Sequence, residues 1–283
     1  MNLKNLALDL YRTFKISRQA WRNRQDIQNA HQGKVFFQQE ITWLLDCDEG
    51  WLQETAQEYR ACEAAWKYLS GLRSPSRQTD GAAKSLDVAE GFVVWALVKH
   101  QKPEVVVELG VQHGISSRLW KEALKAYVPD HELILCDLED RRQFIQDSEC
   151  TFVQGDARQT LPEILRSRSV GVLHNDAHPY GLIRWSIQAA LEQQVAVLTF
   201  HDVGRHHRRA PFRKGSFALS PVEKEQHAED YSHYGCWERH VIAELFGQQI
   251  LDEDAMVTGD HRVQIFDSLF GFGVVLQGAG HDR

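Results

Sequence analysis

Residues 104–117 have the sequence Glu-Val-Val-Val-Glu-Leu-Gly-Val-Gln-His-Gly-Ile-Ser-Ser. A short apolar run ends in Glu108, Gly110 and Gly114 follow four residues apart, and two serines precede a helical pattern. Glycine permits a tight turn and a close approach of the backbone to a ligand. Ser116 or its neighbour can cap the helix, and the free N–H groups there favour an anionic group. The stretch therefore predicts a strand, a turn and a helix that bind a charged, nucleotide-like ligand.

The same pattern of an apolar run ending in an acid recurs four more times. The further runs are residues 132–137, 151–156, 170–176 and 195–202. In open α/β sheets, ligands bind at the carboxyl ends of the strands. The pattern predicts a parallel sheet with one acidic, ligand-binding edge. Gln112 stands where the dinucleotide fingerprint Gly-x-Gly-x-x-Gly has its second glycine, so the chain does not carry that fingerprint.

The order of these motifs resembles the class I S-adenosylmethionine (SAM)-dependent methyltransferases, and among them the small-molecule O-methyltransferases of the catechol and macrolide-sugar types. The resemblance covers about residues 85–277 and rests on Glu108-x-Gly-x-x-x-Gly, Asp137, Gly155-Asp156-Ala157, Asp176-x-His178-x-Tyr180 and His201-Asp202. It implies a Rossmann-like, seven-stranded, doubly wound α/β sheet with helices on both faces. It also implies an antiparallel last strand, and residues 263–266 and 272–276 are expected to form the closing hairpin.

The resemblance also implies a SAM site. Its residues are Glu108, Gly110, Gly114, Ser116, Asp137 and Asp156. Glu108 would lie near the amino group of the methionine part, Asp137 would accept hydrogen bonds from the ribose hydroxyls, and Asp156 would lie near the adenine edge. The alternative for Asp156 is a plain helix cap, because Gly-Asp-Ala also suits the start of a helix.

Relatives that methylate vicinal hydroxyls often hold a divalent cation such as Mg²⁺ with carboxylates after the fourth and fifth strands. Asp176 and Asp202 occupy these places, and His201 as a third ligand would favour a softer ion. By the same resemblance His178, together with Asp176, is the candidate catalytic pair, with the imidazole as general base. Two alternatives stay open: a metal-free reaction in which His178 alone is the base, and a His178 that only caps the next helix.

The implied function is methylation of a hydroxyl on a small molecule or sugar. The basic run from Arg205 to Lys214 is either a solvated loop or a clamp for an anionic acceptor. One alternative function is a hydroxylase-like relative on the same fold. The other is a non-catalytic assembly protein that keeps the cofactor fold.

The composition of the 283-residue chain narrows the class of protein. A net charge of −7 argues against a nucleic-acid partner, and no apolar run approaches the roughly 20 residues that span a bilayer. Five cysteines without metal-site spacing and an N-terminus without an apolar signal core predict a cytoplasmic protein. We expect a helical extension over residues 1–70 as a lid or homo-oligomer interface. A linker over 71–85 and a methyltransferase domain over 86–283 would follow.

Overall fold

The computed structural model describes residues 25–26, 28–29, 32–62, 64, 86–177, 179–204, 237–268 and 270–278. Four parts of the predictions lie outside these residues: the beginning of the helical extension over residues 1–24, the linker over 71–85, the base His178 and the basic run over 205–214. The helices are Gln38–Leu45 (α1), Glu49–Ala61 (α2), Val88–Gln101 (α3), Ile115–Tyr127 (α4), Ala157–Ser167 (α5), Tyr180–Glu192 (α6) and Trp237–Phe246 (α7). The strands are Val105–Leu109 (β1), Glu132–Asp137 (β2), Thr151–Gln154 (β3), Val172–Asn175 (β4), Val197–His201 (β5), Ala255–Thr258 (β6), His261–Phe266 (β7) and Phe272–Gln277 (β8). Two short 3-10 helices are Asp147–Glu149 and Gln248–Leu251.

The strands form one sheet in the order β3-β2-β1-β4-β5-β8-β7-β6. Strands β1 to β5 pair in parallel, and β8 runs antiparallel to both β5 and β7. The predicted α/β class and the antiparallel closing strand are thus confirmed. The sheet has eight strands, one more than the seven predicted, because β6 adds to its edge beside β7.

The chain divides into two compact units. The first lies within residues 1–102, 112–127 and 141–145 and contains α1 to α4. The second lies within residues 103–111, 128–140 and 146–283 and contains the sheet and α5 to α7.

The core of the second unit forms where alternate strand residues meet the apolar sides of α5, α6 and α7. Parallel strands are apolar on both faces, so every second residue of a strand can serve this one layer. The layer takes Val107 from β1, Leu198 from β5 and Val275 from β8, and packs them with Leu161 of α5 and Ile187 of α6. This packing fixes the strand ends that carry the acidic residues.

The first unit is a helical layer built around α3. A buried capping box starts this helix: the Glu90 N–H donates to Asp87 Oδ1 at 2.9 Å, and the Asp87 N–H donates to Glu90 Oε2 at 2.7 Å. Gly91 allows α2 to pack closely, since a Cβ there would lie 2.6 Å from the Tyr59 hydroxyl. That hydroxyl donates to the Val88 carbonyl at 3.0 Å.

Among the described residues, no helix combines the length and the apolar character that crossing a bilayer requires.

Candidate functional site

Three predicted metal ligands meet at the ends of β4 and β5. Asp176, His201 and Asp202 each offer a ligand atom, and these atoms lie within 4.8 Å of one another. His201 Nδ1 is 3.2 Å from Asp176 Oδ1 and 3.8 Å from Asp202 Oδ1. The imidazole is buried at 1% exposure, whereas the Asp176 and Asp202 side chains are 20% and 16% exposed. The cluster therefore has one buried imidazole and two carboxylates that solvent can reach.

The pairing of β4 with β5 brings these residues together. His174 is opposite Thr199 and Asn175 opposite Phe200, so the two strands end side by side. Asn175 then turns the chain, because its Oδ1 accepts the Ala177 N–H at 3.1 Å and its Nδ2 donates to the Ser186 hydroxyl at 2.7 Å. This Asx-type turn carries Asp176 out of the strand.

Asp202 follows β5 in a left-handed backbone conformation, with φ of 61°. This region costs most residues about 1–2 kcal/mol, although aspartate tolerates it better than bulkier residues. The conformation turns the chain sharply directly after His201, so that two adjacent residues both contribute side chains to one cluster. Such a backbone persists where its surroundings hold it.

A second buried histidine, His174, lies in β4 two residues before Asp176 and on the same face of the sheet as His201. Burial, and to a lesser extent the neighbouring His201, lower the pKa of His174 to about 3. Its Nδ1 lies 2.9 Å from the Thr199 hydroxyl, and its ring stacks on Phe272 with centroids 5.8 Å apart. His174 is therefore a neutral, polar support for the cluster. No role was predicted for His174 from the sequence, although a polar residue two positions before the acid of an apolar run is a signal for one.

The other half of the edge is formed by β1 and β2. Asp137 ends β2, and its two carboxylate oxygens accept backbone N–H groups: Oδ2 from Val111 at 2.8 Å and Oδ1 from Leu138 at 2.7 Å. A carboxylate oxygen has more than one lone pair, so this geometry still leaves acceptor sites. The bonds fix the acid directly beside the turn that follows β1.

Gly110 connects the two halves of the edge. Its φ is 84°, and a Cβ at this position would lie 2.7 Å from the carbonyl carbon and oxygen of Asp176 and 2.8 Å from the Ala177 nitrogen. The Asp176 N–H in turn donates to the Leu109 carbonyl at 2.8 Å. A side chain at 110 would therefore displace the backbone that carries a candidate cation ligand.

The remaining predicted cofactor residues are distributed as follows. Glu108 is fully buried in β1, opposite His174 in the strand register. Asp156 caps α5, with its Oδ1 accepting the Arg158 N–H at 2.9 Å, which is the capping alternative stated from the sequence. Gly114 and Ser116 belong to the first unit, where a Cβ on Gly114 would lie 3.0 Å from Ile145. Their roles in cofactor binding remain predictions.

Comparison with solved structures shows a fold similar to that of a methyltransferase. A methyltransferase from Podospora anserina, solved with bound SAH, matches at 14% identity and a TM-score of 0.50, covering 82% of this chain and 97% of that one. An O-methyltransferase from Bacillus cereus in complex with SAH matches at 14% identity and a TM-score of 0.45, covering 85% and 96%. An O-methyltransferase of tomaymycin synthesis from Streptomyces achromogenes, in complex with SAM, matches at 16% identity and a TM-score of 0.44, covering 75% and 94%.

No family model and no curated protein sequence matches the chain. The likeness to the Podospora enzyme shows the fold.

Proposed function

We propose that this chain is a SAM-dependent methyltransferase that methylates a hydroxyl oxygen of a small molecule or sugar, with a divalent cation at Asp176, His201 and Asp202. The observation that carries the proposal is the convergence of these three side chains at the carboxyl edge of the sheet. In open α/β sheets this edge is where ligands bind. The fold shared with the SAH-bound Podospora enzyme supports the choice of cofactor.

The β1–β2 end has the features that a nucleoside ligand needs. Asp137 is held by two backbone N–H groups, so its carboxylate is oriented before any ligand arrives. Neutral ribose hydroxyls would donate to its remaining lone pairs. Glu108, Gly114, Ser116 and Asp156 complete the proposed cofactor set, as the resemblance implies.

The donor set at the β4–β5 end fits a divalent cation. Two carboxylates and an imidazole within 4.8 Å offer both hard oxygen and nitrogen ligands. Oxygen ligands suit Mg²⁺, whereas the imidazole also admits Mn²⁺ or Zn²⁺. Two of the three side chains reach solvent, which leaves a side of the cluster open for an acceptor hydroxyl.

The chemistry requires an acceptor oxygen aligned with the methyl–sulfur bond and a group that takes the hydroxyl proton. SAM supplies a methyl carbon on a sulfonium, so the new O–C bond forms as the S–C bond breaks and SAH is released. A cation at the cluster would lower the pKa of the acceptor hydroxyl. His178 is the proposed base for the released proton, and alignment by the chain supplies the rest.

The first experiment measures cofactor binding and methyl transfer. Calorimetry should show SAM and SAH binding in the micromolar range. Incubation with methyl-labelled SAM and a panel of sugars, glycosides and phenols, some of them phosphorylated or carboxylated, should label one class. Labelling confined to anionic acceptors would also support a clamp over residues 205–214. SAM binding without transfer to any acceptor would favour the hydroxylase-like alternative, and absence of SAM binding would overturn the proposal.

The second experiment separates metal-assisted from metal-free transfer. If the cation is required, a chelator abolishes turnover, Mn²⁺ restores it, and Asp176→Asn or Asp202→Asn lowers turnover by about 10²-fold or more. Asp130→Asn makes the same charge change at an exposed position of the second unit and should leave turnover unchanged. Turnover that survives chelation but is lost in His178→Ala would replace the cation with His178 as the sole base.

The proposed domain organisation has its own test. Residues 1–70 would form a helical lid or homo-oligomer interface, 71–85 a linker and 86–283 the catalytic domain. Limited proteolysis of the intact chain should then cut first within 71–85. Sedimentation equilibrium should give the mass of a dimer or a larger homo-oligomer, because a self-complementary interface pairs identical chains. A monomer would remove the oligomer assignment and leave the lid.

A further inference from the structure

Arg239 is a cation buried in the second unit, far in sequence from the acidic cluster. It lies in the first turn of α7, and its side chain is 1% exposed. Arginine is rarely this buried unless its donors are satisfied. The contacts of this guanidinium therefore indicate why it is inside.

The guanidinium joins α7 to two other segments of the chain, residues 250–254 and Val203. Nε donates to the Ile250 carbonyl at 2.9 Å, and Nη2 donates to the Glu253 carbonyl at 3.2 Å and to Asp254 Oδ1 at 3.0 Å. Nη1 donates to the Val203 carbonyl at 3.4 Å. A planar group with five donors can satisfy such a set, whereas a lysine ammonium cannot span it.

Val203 directly follows Asp202, so the fourth contact reaches the candidate cation site through one peptide. The Val203 N–H donates to the Gly271 carbonyl at 3.3 Å, and the Gly204 N–H donates to the Phe270 carbonyl at 2.6 Å. The backbone after Asp202 is thus held both by the residues that directly precede β8 and by Arg239. Asp202 itself has the left-handed φ of 61°, which has to be maintained by its neighbours.

The far side of the guanidinium is anchored to the sheet. The Asp254 carbonyl accepts the Ile265 N–H at 2.6 Å and the Gln264 side-chain amide at 3.1 Å, which ties the residue to β7. A positive charge in the first turn of a helix opposes the helix dipole, so α7 itself gains nothing from Arg239. The position of the arginine is explained by the segments that it joins.

We propose that Arg239 is a positioning residue that fixes the backbone of Asp202, so that its carboxylate faces Asp176 and His201. The inference rests on the proposed function, in which Asp202 is a cation ligand. Groups that orient metal ligands without touching the metal typically change metal affinity by 10–100-fold when they are altered. Arg239 acts in this way through the Val203 carbonyl.

The test compares Arg239→Lys with Ile250→Ala. The control removes a buried side chain from the same region, yet it keeps the Ile250 carbonyl that Arg239 contacts. Two quantities are measured well below the melting temperature of each variant: Mn²⁺ affinity by calorimetry, and hydrogen exchange in peptides that cover residues 197–204. Asp254→Asn removes only the negative charge of one partner and keeps its Oδ1 acceptor. It is a milder second variant in case Arg239→Lys does not fold.

In Arg239→Lys we expect Mn²⁺ affinity to fall by about 10-fold or more and the Val203 and Gly204 amides to exchange faster. Asp254→Asn should change both in the same direction, by less. Ile250→Ala should lower the melting temperature and leave both measurements near wild type. Equal exchange and affinity in Arg239→Lys and the control would overturn the proposal, and so would faster exchange with unchanged affinity.

The same experiment separates this proposal from the proposed function. If the wild-type chain binds no Mn²⁺, the cation site fails, and exchange alone decides the role of Arg239. Faster exchange of residues 203–204 in Arg239→Lys would still assign the arginine to the Asp202 backbone. Unchanged exchange would remove that assignment as well.

Discussion

The two halves of the acidic edge are organised in different ways. At the β1–β2 end, backbone N–H groups of Val111 and Leu138 hold the Asp137 carboxylate. At the β4–β5 end, side chains face one another, with His201 Nδ1 at 3.2 Å from Asp176 and 3.8 Å from Asp202. One end presents a single carboxylate already fixed by neutral donors, and the other concentrates two carboxylates around an imidazole.

This difference separates the ligands that each end suits. A carboxylate oriented by two backbone N–H groups still has lone pairs that accept hydrogen bonds from hydroxyl donors. Two carboxylates close together repel each other unless a cation, or a protonated imidazole, lies between them. The difference therefore supports the proposed nucleoside site at β1–β2 and the proposed cation site at β4–β5.

Gly110→Ala should have the largest effect, because this residue joins the two ends. The new Cβ would lie 2.7 Å from the Asp176 carbonyl, and φ is 84°. We expect a loss of about 3 kcal/mol in the free energy of unfolding, measured in urea, from strain together with the clash. Gly278→Ala has a similar φ of 78° with nothing within 4 Å, and should lose only about 1 kcal/mol. Equal losses would mean that the close approach to Asp176 is not rigid.

The pH dependence of stability should reflect the buried support behind the β4–β5 end. The pKa of His174 is about 3 in the folded protein and 6.5 ordinarily, so between these values the unfolded chain binds the proton and stability falls with falling pH. Replacing His174 with Gln should make the loss between pH 7 and pH 5 smaller by about 2 kcal/mol. His100→Gln, at an exposed position, is the control. If stability fell equally with pH in wild type and His174→Gln, the pKa of His174 would not be lowered by burial.

Asp137→Asn tests whether the two ends act independently. An amide cannot accept both the Val111 and the Leu138 N–H groups as well as ribose hydroxyls, so SAM affinity should fall about 10-fold, which is 1.4 kcal/mol. Mn²⁺ affinity should stay within about twofold, because β1 lies between β2 and β4 in the sheet and salt screens partly exposed charges. Asp130→Asn controls for the change in net charge. A parallel loss of both affinities would merge the two ends into one site.

The smallest effect concerns Asp156, whose observed role is to cap α5. Asp156→Ala should lose about 1 kcal/mol of stability, and Asp156→Ser should recover most of it, since serine is an equally good cap. Calorimetry with SAM then tests the second role. If affinity is low in both variants, the carboxylate also contacts the cofactor, whereas wild-type affinity in Asp156→Ser would leave it as a cap only.

Much of the fold was predictable because each of the five parallel strands is a short, mostly apolar run with an acid at or just after its end. The runs at 105–109 and 197–201 predict strands on their own, and the two short apolar runs of β7 and β8 predict a hairpin. β6 was missed because it has four residues, follows an acidic stretch and exposes Val257. A short edge strand is specified by its partner β7 more than by its own residues.

The site was predictable in its residue types but not in its support. Carboxylates at adjacent strand ends have to be neighbours, which is why Asp176 and Asp202 could be paired from the sequence. The left-handed backbone of Asp202 and the reach of Arg239 to Val203 depend on contacts between distant segments. No local pattern encodes them, because the same residues in another packing would adopt ordinary conformations.

The close approach at Gly110 bears on how related sequences should be interpreted. A glycine here is demanded by the neighbouring main chain at Asp176, whether or not a nucleotide is ever bound. Purifying selection would retain it in a descendant that had lost catalysis. Invariance at this position across an alignment is therefore no sign of retained enzymatic activity. Joint retention of the carboxylates at 137, 176 and 202, which the close contact at Gly110 does not require, would distinguish working enzymes from inactive homologues.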